Sequence, residues 1–148
     1  MTKAVPGQIW QDDCYYYDQR TGRCMRKYVL VLAIDARSGD SVTAVLTSTP
    51  NGLPTDPACW QGNPRSGYYL GIPGAPLVKE TWIDFNGIQT LDDADLEHQV
   101  AQARKNLLAL TLLPDKFCAV LRCVRGIDDL EIRHERLIGD LIAVLGCS

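Results

Sequence analysis

The stretch Tyr28-Val29-Leu30-Val31-Leu32-Ala33-Ile34 constrains this chain most. Strands with one wet face alternate apolar and polar residues. A continuous β-branched and aliphatic run instead reads as a strand buried on both faces. Ser38-Gly39-Asp40 then turns the chain, and Ser41-Val42-Thr43-Ala44-Val45-Leu46-Thr47 follows as an antiparallel partner. Upstream, Pro6-Gly7 opens the fold and Gln8-Ile9-Trp10 makes a short strand. Asp12 to Lys27 reads as a polar loop interrupted by Tyr15-Tyr16-Tyr17, with a turn at Asp18-Gln19-Arg20-Thr21-Gly22.

From Ser48 to Pro76 the chain carries most of its prolines and many glycines, which rules out helix. Tyr68 to Ile72 is a candidate strand within it. Val78 to Phe85 is another, with Trp82 and Asp84 on one face and Thr81, Ile83 and Phe85 on the other. Gly87 breaks that strand and Ile88 to Leu91 resumes it. Short strands punctuated by Gly and Pro predict a small barrel or roll.

After Asp92 the period changes. Leu96, Val100, Ala103, Leu107 and Leu110 form one helical stripe. Pro114 suits the first turn of a new helix, with Phe117, Val120, Leu121 and Val124 inward and Gly126 as its stop. The segment Phe117 to Val124 also fits a strand. Asp128 with Glu131 resembles a capping box. Leu130, His134, Leu137, Ile138, Leu141 and Leu145 then line the inner face of a last helix, where His134 reads as a buried, hydrogen-bonded structural residue. The whole is α+β: one domain over 1–148, with a barrel core over 6–92, a helical insertion over 93–126 and a C-terminal helix over 127–148.

A chain of 148 residues, 46% apolar and 22% charged, fits one ordinary globular domain. Met1-Thr2-Lys3-Ala4-Val5-Pro6 lacks a signal-peptide core and no apolar run spans a bilayer, so the expected compartment is the cytoplasm, without membrane attachment. Free thiols are then the default for the six cysteines. Cys118, Cys123 and Cys147 read as small core residues, and Cys14 and Cys24 flank one loop across which they can approach. The cysteine spacing does not favour a zinc site, and no phosphate-cradling, dinucleotide or hydrolase motif is present. The net charge of −3 does not announce a nucleic-acid binder, although Arg20, Arg23, Arg26 and Lys27 cluster within eight residues.

The order Pro6-Gly7-Gln8-Ile9-Trp10, a polar loop with Gly22, Lys27-Tyr28-Val29-Leu30-Val31-Leu32, Val45-Leu46-Thr47-Ser48 and Trp82-Ile83-Asp84-Phe85-Asn86-Gly87 resembles the PemK/MazF family of bacterial toxin–antitoxin pairs. The likeness covers about residues 6–92 and, more loosely, 128–145. It implies a small SH3-like antiparallel β-barrel. It also implies a cofactor-free, metal-independent endoribonuclease that cuts single-stranded messenger RNA, works as a homodimer and is silenced by a protein antitoxin. The family's basic residue at the head of the second strand matches Lys27, its Thr or Ser at the end of the third matches Thr47 and Ser48, and a later acidic residue matches Asp84. Where the family usually carries Arg-Pro, this chain has Lys27-Tyr28. Where some members place a second Arg, it has Trp82.

RNA cleavage through the 2′-OH needs a base for that proton, a cation for the phosphorane and an acid for the leaving 5′-oxygen. Lys27, Thr47 and Asp84 are the expected catalytic set. Arg20, Arg23, Arg26, Ser48 and Trp82 are the expected RNA contacts, with Trp82 as a stacking platform if exposed. The competing expectation is a catalytically impaired or non-catalytic binding protein on the same barrel, including a gyrase inhibitor of the CcdB type.

Overall fold

The computed structural model describes residues 4–147; Met1–Lys3 and Ser148, the ends of the unit read as 1–148, lie outside the described residues. Seven strands, β1 (Gln8–Asp18), β2 (Arg23–Ile34), β3 (Ser41–Thr47), β4 (Cys59–Gln61), β5 (Ser66–Gly71), β6 (Thr81–Leu91) and β7 (Lys105–Thr111), form one sheet in the order β4-β5-β6-β3-β2-β1-β7. Every pairing is antiparallel. Three helices complete the described residues: α1 (Asp93–Ala101), α2 (Pro114–Arg125) and α3 (Ile132–Leu145).

The apolar run in β2 is buried on both faces, and its alternation divides the core. Leu30 and Leu32 join Ile9, Ile83 and Phe85 under Phe117, Val120, Leu121 and Val124 of α2 and Ile138 of α3. Val29 and Val31 join Trp10 on the opposite face, where Leu96 of α1 covers them and Val100 packs alongside. The sheet is thus sandwiched locally between one helix and two.

The α+β class and the C-terminal helices agree with the sequence reading. The expected closure into a barrel is not made: β4 and β7 lie at opposite ends of the strand order, so the sheet is open. The presumed loop from Asp12 to Lys27 is instead a long hairpin, whose strands pair as far out as Asp18 and Arg23. The helical stripe from Leu96 to Leu110 does not exist as one element, so the segment 93–126 is not helical throughout. Asp92 caps α1 through its carboxylate, which accepts from the Ala94 and Asp95 amides. The helix ends at Ala101, and Ala103 takes a left-handed backbone. β7 then pairs with the free edge of β1. An unpaired edge of backbone donors and acceptors captures a nearby apolar segment that suits either conformation.

Pro114 begins α2 and Gly126 follows it, as expected. For α3 the capping-box reading fails: Glu131 is the N-cap residue and makes no side-chain cap bond. Gly87 does not end β6 but lies within a register shift opposite Thr43–Val45. All six cysteines pair, as Cys14–Cys24, Cys59–Cys123 and Cys118–Cys147, which corrects the expectation of free thiols. The reason is geometric: Cys14 and Cys24 face each other across the β1–β2 hairpin, and α2 carries Cys123 to β4 and Cys118 to Cys147.

Candidate functional site

Strand register places the sequence-predicted residues. Trp10 pairs with Val29, Val29 with Val45, and Val45 with Asp84. One row further along, Asp12 pairs with Lys27 and Thr47 with Trp82. Lys27 and Thr47 each lie one residue beyond the Tyr28–Leu46 pair, which is the last of the β2–β3 register. Residues two apart on a strand share a face, so Lys27, Thr47 and Asp84 lie on the same face, that of α1. The helix sits over Trp10 and Val31, beside this end of the face.

The local environments differ. Lys27 is half-buried. Asp12, opposite it, is buried and already held by Lys105 Nζ at 2.8 Å and Arg104 Nε at 3.4 Å. Thr47 Oγ1 accepts from the Thr49 amide at 3.1 Å and lies 3.3 Å from the Thr49 carbonyl, a side-chain turn that ends β3. Ser48 is exposed in that turn. Asp84 Oδ2 accepts from Arg65 Nη1 at 2.7 Å, and its Oδ1 accepts from the Asn86 amide at 2.9 Å.

Arg65 was not singled out from the sequence. It lies 19 residues from Asp84 and reaches it because β5 pairs with β6, Gly67 standing opposite Asp84. Gly67 is required there: a Cβ would come within 2.5 Å of Leu53 Cδ1 and 2.6 Å of the Ile83 carbonyl. Tyr15 was missed as well. It is half-buried beside Gly87, and burial, then the charges of Asp12 and Asp84, raise its phenol above the usual tyrosine range. A tyrosine in a loop carries no signal of this; the register shift between Asp12 and Tyr16 directs it.

Trp82 is corrected. It is 4% exposed, its indole N–H donates to the Pro54 carbonyl at 3.0 Å, and its ring meets Tyr69 at 5.2 Å between centroids. It is a core residue and no stacking platform. Arg20, Arg23 and Arg26 lie exposed on the β1–β2 hairpin, where Arg26 pairs with Asp13 at 3.1 Å and Arg20 lies 3.7 Å from Asp18. The site is an open face. Of the larger cavities, one of about 420 Å³ is lined by Arg65 together with Asn63, Asn86 and Asp128, and one of about 470 Å³ lies between α3 and the β2–β3 turn.

His134 behaves as expected of a structural residue. It is buried, with Nε2 2.8 Å from Thr90 Oγ1 and Nδ1 3.3 Å from Glu131.

Fold and site together define an α+β protein with an open antiparallel sheet and a polar patch of Lys27, Thr47, Arg65, Asp84 and Tyr15 at one end of a face. No family model, no curated protein and no solved structure matches the chain.

Proposed function

We propose that this face cleaves single-stranded RNA in the manner of the PemK/MazF-like toxins, whose SH3-like fold would here be an opened variant. The observation that carries the reading is that Lys27, Thr47 and Asp84, on three neighbouring strands, share one face of the sheet. In this reading Lys27 and Arg65 hold the charge that develops on the phosphorane, and the Arg65 fork supplies what a lysine lacks. Asp84 takes the 2′-OH proton on a lone pair left free by its two hydrogen bonds. Tyr15, kept protonated by burial, donates to the leaving 5′-oxygen. The products are a 2′,3′-cyclic phosphate and a 5′-hydroxyl. A homodimer, a protein antitoxin and a cytoplasmic site of action are the partners and place this reading implies.

The test is purified protein incubated with a long single-stranded RNA in chelator. Cleavage that falls about a hundredfold in Lys27→Ala supports the reading. Intact RNA together with unchecked growth on expression sinks it.

A second reading has its own support. Both Asp84 oxygens are engaged and the Thr47 hydroxyl is turned to Thr49. A non-catalytic toxin-like binding protein, the gyrase type included, needs neither group free. Growth arrest with intact RNA, unchanged in Lys27→Ala, favours it.

A further inference from the structure

Beyond the Asp12–Lys27 pair the β1–β2 hairpin leaves the sheet. β7 accompanies β1 as far as Asp12, with one more bond from the Asp13 amide to the Arg104 carbonyl at 2.9 Å. β3 accompanies β2 only to Tyr28. Residues 14–26 therefore have only each other as strand partners, and a two-stranded ribbon is marginal by itself in water. The ladder is also interrupted between Asp12 and Tyr16. Arg104 Nη2 holds the Cys14 carbonyl at 2.6 Å and Arg26 holds Asp13. The Cys14–Cys24 disulfide crosses the ribbon where its register slips.

The ribbon's surface is unusual for a solvated hairpin. Tyr16 and Tyr17 are 48% and 59% exposed, and Arg20, Arg23 and Arg26 are exposed beside them. Side chains alternate along the ribbon, so Tyr16 shares one face with Arg23 and Tyr17 the other with Arg26. An exposed aromatic ring with a guanidinium group on its own face suits a stacked base and phosphate of a single strand. The ribbon also leads directly into Lys27.

We propose that residues 13–26 are a docking arm for single-stranded RNA, with Tyr16 and Tyr17 as stacking surfaces, held in its binding shape by the Cys14–Cys24 bridge. This rests on the RNA reading above. The bridge also makes docking conditional on redox state. Cys24 is exposed, whereas Cys123 of the Cys59–Cys123 bridge is buried and both cysteines of the Cys118–Cys147 bridge are half-buried, so a small dithiol reaches the arm first. One thiolate of the dithiol attacks a sulfur of the bridge, and its second thiol closes the reductant into a cyclic disulfide. Two electrons and two protons pass to the protein, and Cys14 and Cys24 end as thiols. In a reducing cytoplasm the arm is loose, and oxidation sets it.

The experiment compares the full-length oxidised protein with the Cys14→Ser, Cys24→Ser double variant and with Tyr17→Ala. The probe is a fluorescent 2′-O-methyl oligouridine about 12 nucleotides long, within the span of one small domain and blocked against 2′-OH attack. Both variants are expected to bind about tenfold more weakly or worse. Trypsin supplies a readout free of RNA. It is expected to cut after Arg20 and Arg23 at least about tenfold faster in the double variant, because a loosened ribbon opens locally. Equal tryptic rates overturn the staple. Equal binding by all forms overturns the arm while leaving the RNA reading standing. No binding by any form overturns both.

Discussion

Asp12 joins three segments distant in sequence. Its carboxylate accepts from Lys105, from Arg104 and from the Cys14 amide, and Lys105 also donates to Gln99 of α1. Asp12 and Lys105 are both buried. Breaking such a pair leaves a charge without its partner, so Lys105→Met is expected to cost about 3–5 kcal/mol in denaturant unfolding. Replacing both partners with apolar residues should recover most of that loss. His134 gives a pH dependence. Burial disfavours its imidazolium and lowers its proton affinity, against the opposing pull of Glu131 and with help from Arg133. The unfolded chain still binds that proton near its ordinary value of 6.5. Stability from this residue is therefore whole above pH 6.5 and declines as pH falls towards and through the lower folded value. Unfolding followed between pH 7.5 and 4.5 should lose this slope in His134→Gln. The role of His134 was readable from its place on an apolar stripe. That of Asp12 was not, because its partners lie some ninety residues away.

At the scale of elements, covalent ties set what can move. The Cys59–Cys123 bridge joins β4 to α2 and closes a span of 64 residues. Chain-closure entropy assigns it about 4 kcal/mol, more than the short Cys14–Cys24 span. The Cys59→Ser, Cys123→Ser double variant should therefore show the larger fall in Tm of the two bridge deletions, measured by calorimetry. β7 is the element sequence reading lost. Leu107 and Leu110 fit a helical stripe with Leu96, yet Leu108 and Leu110 pack on the main core while Leu107 stays exposed, as strand alternation requires. Local pattern supports both conformations there, and the vacant edge of β1 decides between them.

Across the whole molecule, protection is uneven. β2, β3 and β6 are flanked by strands on both sides and covered by helices, whereas the outer hairpin has neither. Amide exchange followed by mass spectrometry should be at least about a hundredfold slower in residues 29–33 and 42–46 than in 16–25. What the sequence by itself determined was the central strands, the α+β class and the buried His134, because those depend on local apolar period and chain stops. The capture of β7, the Cys59–Cys123 and Cys118–Cys147 bridges, the burial of Trp82 and the meeting of Arg65 with Asp84 were decided only by tertiary structure. Each depends on which strand edge or helix face a segment finds, and those pairings join residues too far apart for any local pattern to record.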